Sequence, residues 1–164
     1  MRSTRRAAWL PLLLALAAAP AFAAETIAVF DAELLDTSGQ GEQADQQRRL
    51  AMLDAELRQA LAASGRYVVV DVAPQRARLA TGPALRDCAG CAADAARTLG
   101  AGLALVTVVQ KVSNLILNIT VSVLEAAPAA TLRAAYSVDI RGNSDESWRH
   151  GIRWLLRNRL LAAP

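Results

Sequence analysis

The apolar positions between residues 103 and 140 fall into three consecutive strand patterns. Residues 103–109 are an almost unbroken apolar run, as expected of a strand covered on both faces. Lys111, Ser113 and Asn114 end the run. Leu117, Ile119, Val121 and Val123 then alternate with Asn118, Thr120 and Ser122, a pattern that buries one face and wets the other. Beyond Pro128, Leu132, Ala134, Tyr136, Val138 and Ile140 alternate with Arg133, Ser137 and Asp139 in the same way.

Upstream, strand and helix patterns take turns. Residues 25–35 predict an opening strand, with Ile27, Val29 and Asp31 on one side and Ala28 and Phe30 on the other. Residues 36–43, with Gly39 and Gly41, predict a loop. Over residues 45–63, Leu50, Leu53, Leu57 and Leu61 recur at helical spacing, and Met52 and Ala60 widen the stripe as core filler. Arg48, Arg49, Glu56 and Arg58 take the opposite side, and Gly65 is placed to cap the helix. Residues 67–72 predict a strand closed by Asp71 and Pro74, so the unit is a parallel crossover. Residues 75–79 predict a short helix. Asp87 is a candidate cap for a second crossover helix over Ala92, Ala95, Ala96 and Leu99, ended by Gly100. After a turn at 142–145, either Asn143 with Glu146 or Ser144 with Ser147 starts a last helix. Its apolar side is Trp148, Ile152, Leu155 and Leu156.

The first residues follow another logic. Arg2, Arg5 and Arg6 precede an apolar core over residues 9–19, and Ala21-Phe22-Ala23 is a small-x-small cleavage pattern. Residues 1–23 are therefore expected to be a secretory signal peptide, with residues 24–164 as a single α/β domain. The apolar core is short for a bilayer span, and no later stretch suggests one. The leader also carries the charge excess. Three of the 18 basic residues lie in it, which leaves 15 beside the 15 acidic ones. A general basic field for nucleic acid is thus absent from the mature chain. With the first cysteine at Cys88, no cysteine stands at the cleavage site to carry a lipid.

Candidate chemistry is sparse. Cys88-Ala-Gly-Cys91 lies at an expected helix start in an exported chain. It reads as a structural disulfide, as a redox dithiol with a stabilised thiolate, or as reduced thiols or a metal site between chains. Ala92 follows the second cysteine, so a haem attachment pattern is missing, and one histidine is too few for a one-chain structural zinc site. Asp31, Glu33 and Asp36 resemble an acidic metal group, but their mixed spacing favours a turn and a strand edge. His150 has no serine elbow to serve, and neither glycine-rich phosphate loop occurs. Arg149, Arg153 and Arg157 recur every four residues on the last helix and form the candidate protein-binding stripe; a solvated helix face is the plain alternative.

Several phrases carry a resemblance. They are Ile27-Ala-Val-Phe-Asp31, Leu35-Asp-Thr-Ser38, Ser64-Gly-Arg-Tyr-Val-Val-Val-Asp71, Arg86-Asp-Cys-Ala-Gly-Cys91, Gln110-Lys-Val-Ser-Asn-Leu115 and Asp139-Ile-Arg-Gly-Asn-Ser-Asp-Glu-Ser-Trp148. With them the chain resembles an uncharacterised family of small exported bacterial proteins, of the domain-of-unknown-function 2380/3280 type. Through Ile27 to Phe30 and Ser64 to Val70 it is similar, more distantly, to the amino-terminal domain of the Tol-system beta-propeller protein. It is similar in the same way to the curli-secretion lipoprotein and the lipoprotein activators of penicillin-binding proteins. That resemblance implies an envelope scaffold or protein-binding module, although this chain lacks a lipidation cysteine, a propeller and a pore insertion.

The expected architecture is a two-layer α/β sandwich with a mixed five-stranded sheet, in the chain order β-α-β-α-β-β-β-α. The helices are expected mainly on one face, with Asn118, Thr120 and Ser122 on the other. The expected function is a non-enzymatic periplasmic accessory module with an envelope protein as partner, no cofactor and no metal. The alternatives are a thiol-disulfide protein using Cys88 and Cys91, and a small-ligand carrier.

Overall fold

The computed structural model describes residues 23–41, 43–88 and 90–162. The expected leader, residues 1–23, lies outside the described residues but for Ala23. The chain runs β1 (Glu25–Val29), β2 (Glu33–Asp36), α1 (Ala44–Ala63), β3 (Tyr67–Val70), α2 (Ala73–Ala80), a 3-10 turn (Leu85–Asp87) and α3 (Cys91–Thr98). It continues with β4 (Leu103–Lys111), β5 (Ile116–Glu125), β6 (Leu132–Arg141) and α4 (Asp145–Leu155), which passes into a π turn (Leu156–Leu160).

The strands form an open, mixed, six-stranded sheet ordered β3-β1-β4-β5-β6, with β2 also paired to β4. β1 is parallel to β3 and β4, β2 is parallel to β4, and β4-β5-β6 is an antiparallel meander. Six strands replace the expected five because residues 25–35 do not make one strand. Val29 stands opposite Leu105 and Glu33 opposite Val108, so Phe30, Asp31 and Ala32 face only Val106 and Thr107. One extra residue is a bulge, and it moves every later side chain to the other face. Ile27 and Val29 face α1 before the bulge, and Ala32 and Leu34 face it afterwards. Ala28 and Phe30 point to the opposite face.

Helices cover both faces, which corrects the expected two layers. The leucine stripe of α1 (Leu50, Leu53, Leu57, Leu61) and the Trp148 side of α4 pack on one face across the sheet. On the other face Ala92, Ala95 and Ala96 of α3 meet Ala28, Phe30, Ala104 and Val106. The unbroken apolar run of β4 follows from this double cover. Small alanines let α3 lie close to the sheet. On that second face the β5–β6 half carries Asn118, Thr120, Ser137 and Asp139, bonded to each other, with Asn118 Nδ2 donating to Ser137 Oγ at 2.7 Å and to Asp139 Oδ1 at 2.8 Å.

Three local expectations change, and one choice between alternatives is decided. Arg49 does not lie on the solvent side of α1; it is 8% exposed and donates to Asp145 at 2.9 Å and Asn143 at 3.0 Å. Asp87 does not cap the second crossover helix, because the chain makes a 3-10 turn first and α3 begins at Cys91 with Gly90 as its cap. Of the two candidate caps for α4, Ser144 and Ser147 exchange hydrogen bonds, while Asn143 accepts the Trp148 indole N–H at 2.9 Å. Leu132 leaves the buried face of β6, because a second register shift sets Val123 opposite Ala134 but Leu124 opposite Leu132. Leu132 is 55% exposed as a result.

The close contact of α4 with β6 depends on Gly151. A Cβ there would stand 2.4 Å from Ile140 Cγ2 and 3.3 Å from Ile119 Cδ1. Gly151→Ala is expected to cost ~1–3 kcal/mol through overpacking. Leu57→Ala, at a fully buried position, is expected to cost ~2–5 kcal/mol through a cavity. Urea denaturation monitored by circular dichroism reads both, and a midpoint unchanged in either variant would contradict the packing described.

Candidate functional site

Three places bring titratable side chains together. The first is the bulge between β1 and β2, at the carboxyl ends of the parallel strands β1 and β3. Here α1 supplies the partners that the interrupted ladder lacks. Asp54 accepts the Ala32 N–H at 2.9 Å, and Arg58 donates to the Val29 carbonyl at 3.0 Å. Asp31 binds Arg58 at 2.6 Å and Arg76 of α2 at 2.9 Å. Burial alone would raise the Asp31 carboxyl, but hydrogen bonds from Arg76 and Arg58 outweigh it and hold the group below its ordinary value. Asp54 goes the other way. Burial dominates over the Ala32 amide and Arg58, and pushes its carboxyl up to about 6. A cavity of about 530 Å³ opens beside the bulge, lined by Phe30, Asp31, Glu33, Val72, Arg76 and Leu85.

Neighbouring carboxylates are used separately. Glu33 turns to the other face and accepts from the main-chain N–H groups of Leu85 at 2.5 Å and Arg86 at 3.1 Å, and from the Arg86 side chain at 3.1 Å. Asp36 shares a face with Lys111 beyond the bulge and takes its Nζ at 3.3 Å. The Ser38 hydroxyl and N–H, more than Lys111, hold the Asp36 carboxyl low. Asp31, Glu33 and Asp36 thus each meet a cation or an amide, not one another. Among the described residues, no group of three or more histidine, cysteine or carboxylate side chains is arranged to hold a metal ion.

The second place is the segment before α3. Cys88 and Cys91 are joined in a disulfide, with Cα atoms 5.5 Å apart. The bond spans the entry to α3, and Glu33 fixes the 3-10 turn just ahead of it. The third place is α4. Arg153 makes a two-point contact with Glu56 of α1 at 2.9 and 2.7 Å. Arg149 reaches Glu56 at 3.4 Å and Met52 Sδ at 3.0 Å. The hydrogen bond from Arg153 is the main reason the Glu56 carboxyl is held below its ordinary value. Arg157, on the π turn, is exposed. His150 is exposed and stands with Trp154 at a groove of about 610 Å³ between α4 and β6.

Sequence patterns did not show the buried polar groups. Lys111 and Gln46 are fully buried, and Arg49 and Asp54 nearly so. Arg49 had one local signal, Asp45 four residues before it, which it binds at 2.6 Å. Its second partner, Asp145, is far away in sequence. Asp145 also takes Arg48, and hydrogen bonds from Arg48 and then Arg49 pull its carboxyl down to about 2.

A family model described as a protein of unknown function (DUF2380) matches residues 25–160. The chain belongs to that family. Among curated proteins, none matches it. Solved structures share the fold. The LpoB C-terminal domain from Salmonella enterica aligns with a TM-score of 0.53 at 15% identity, covering 74% of this chain and 86% of that one. The same domain from Escherichia coli aligns with a TM-score of 0.53 at 17% identity, covering 76% and 88%. The chain therefore shares the fold of the LpoB C-terminal domain.

Two outcomes follow from the geometry. Folding favours protonated Asp54, so its contribution to stability is greatest below the unfolded value of 3.8 and declines as pH rises towards about 6. Asp145 contributes the reverse: stability present above 3.8 and lost as pH falls towards about 2. Asp54→Asn keeps an acceptor for Ala32 and is expected to abolish the decline between these two upper values, seen as a flatter melting-temperature profile across that window. An unaltered profile would place the titration elsewhere. The disulfide closes a very short loop, so Cys88→Ala with Cys91→Ala is expected to cost at most ~2 kcal/mol in a denaturant titration.

Proposed function

We propose that this protein is a non-enzymatic accessory module of the bacterial envelope, exported to the periplasm, that works by binding another protein. The observation that supports this most is the shared fold, which spans most of the LpoB C-terminal domain. It agrees with the resemblance of Ile27 to Phe30 and Ser64 to Val70 to envelope lipoproteins. The leader pattern at residues 1–23 supports export, and no helix of the described residues is long and apolar enough to cross a membrane. Carboxylates near the bulge are each held in ion pairs or on amides, an arrangement that stabilises the fold.

The partner contact we assign to the outward side of α4. Arg149 and Arg153 spend part of their charge on Glu56, which also fastens α4 to α1. Arg157 has no such anchor among the described residues and continues the four-residue spacing. An acidic partner surface fits this local positive charge on an otherwise neutral mature chain. The three arginines also separate experimentally. Arg157→Glu is expected to weaken capture of the partner from periplasmic extract with an unchanged melting curve, and added salt should weaken the wild-type interaction. Arg153→Glu should lower both capture and stability, because it opposes Glu56. Equal recovery by wild type and Arg157→Glu would remove the stripe from the interface.

A further inference from the structure

Among the described residues the sheet ends on β6, a strand of ten residues with no neighbour on its outer side, whereas the opposite end is β3, of four residues. The direction of its main-chain groups follows from the ladder. The Gly142 N–H bonds the Leu115 carbonyl at 3.1 Å, in the register that sets Ile116 opposite Arg141. Alternation then turns the N–H and C=O groups of Ala134, Tyr136, Val138 and Ile140 towards β5. Those of Ala135, Ser137, Asp139 and Arg141 point outward, and all four residues are exposed. On the helix side of this edge lies the groove of about 610 Å³, lined by Val138, Ile140, Glu146, His150, Gly151 and Trp154. Gly151 lets Ile140 of β6 pack directly against α4 at this groove.

We propose that this edge is the docking site for an extended segment of the partner protein, which adds to the sheet as a strand antiparallel to β6. The inference rests on the reading of this protein as a protein-binding module and names its surface. Strand addition uses what the edge offers: main-chain pairing for affinity, and a groove that takes alternate side chains for selectivity. The charges select the occupant. In an antiparallel partner, one residue faces Asp139 and the residue two before it faces Arg141. The first is therefore basic and the second acidic, since opposite charges across strands attract and like charges repel. The residue between them, and the one after the basic residue, drop beside Ile140 and Val138 into the groove against Trp154, and are apolar. A partner segment reads acidic, apolar, basic, apolar from its amino end.

A second copy of the chain meets this rule only in part. Self-pairing centred on Ser137 would set Arg133 against Arg141, and centring on Val138 would set Asp139 against Ser137 and Arg141 against Ala135. Centring on Ile140 sets Asp139 against Arg141, but overlaps only residues 139–141 of each β6 before the turn at Gly142, and centring on Tyr136 sets Asp139 against Arg133, which Glu25 already binds.

The test is a nuclear magnetic resonance titration of the labelled protein with two synthetic peptides long enough to reach Ala135, Ser-Val-Glu-Val-Lys-Val-Thr-Val-Ser and its charge-exchanged form Ser-Val-Lys-Val-Glu-Val-Thr-Val-Ser. The first is expected to give saturable shifts at the amides of residues 135–141, at His150 and Gly151, and at the Trp154 indole. The exchanged peptide should bind more weakly. Ala135→Pro removes an outward N–H without touching the β5 ladder, and should weaken the first peptide about tenfold. A variant carrying both Asp139→Lys and Arg141→Glu should reverse the peptide preference, and it does so without relying on a proline. Absence of saturable shifts, shifts located elsewhere, or equal response of both peptides overturns the proposal. A concentration-dependent dimer broken by Ala135→Pro overturns the assigned occupant. Partner capture that depends on Arg157 but survives Ala135→Pro leaves the protein-binding reading standing and removes the β6 edge from it.

Discussion

One extra residue between β1 and β2 governs much of the molecule. Phe30, Asp31 and Ala32 span the space of Val106 and Thr107, and the pairing with β4 resumes one residue out of step. The shift leaves main-chain groups without ladder partners, and a buried unpaired group costs about 1–3 kcal/mol. Asp54 and Arg58 of α1 satisfy two of them. This explains why a nearly buried carboxylate sits on the apolar stripe of α1, and why its proton affinity is raised. The same shift sends Glu33 to the face where the 3-10 turn lies and brings Asp36 onto the face of Lys111. Three carboxylates close in sequence are thereby distributed to three separate structural tasks.

A second polar cluster holds the other end of the molecule. Arg49 joins Asp45 on its own helix to Asp145 and Asn143 at the start of α4, and Trp148 binds Asn143 from beneath. A hydrogen-bonded arginine on the floor of such a cluster is costly to leave alone and specific when satisfied. It sets where α4 begins relative to α1. Glu56 with Arg149 and Arg153 then aligns the two helices along their length. The charged face of α4 is therefore partly an internal fastening.

The sheet is covered unevenly, and this bears on function. At the β3-β1-β4 half, helices lie on both sides, so that region is a closed core. At the β5–β6 half, one side is a small polar network, and among the described residues the outer edge of β6 is open. Surfaces that recognise other proteins need exposed but ordered groups, and a strand edge backed by a packed helix supplies them.

Periodicity alone settled the elements whose burial is one-sided or complete. The leucines of α1, the unbroken run of β4 and the alternation in β5 each state which side meets the core, because burial demands apolar atoms at a fixed geometric repeat. Gly65, Gly100 and Gly142 also marked chain turns that adopt positive φ. The cysteine spacing made a bond feasible, and the structure closed it. What the sequence could not decide were events that depend on distant partners. A bulge is invisible in a pattern of period two, since either register looks equally apolar until the facing strand is known. The split of β1 and β2, the outward turn of Leu132 and the pairing of Asp36 with Lys111 are consequences of such shifts. Arg49 reads as a solvent-side arginine until Asp145, 96 residues later, closes over it. The second helical layer depended on whether short, alanine-rich segments packed opposite α1, and only the tertiary path of the chain determines that.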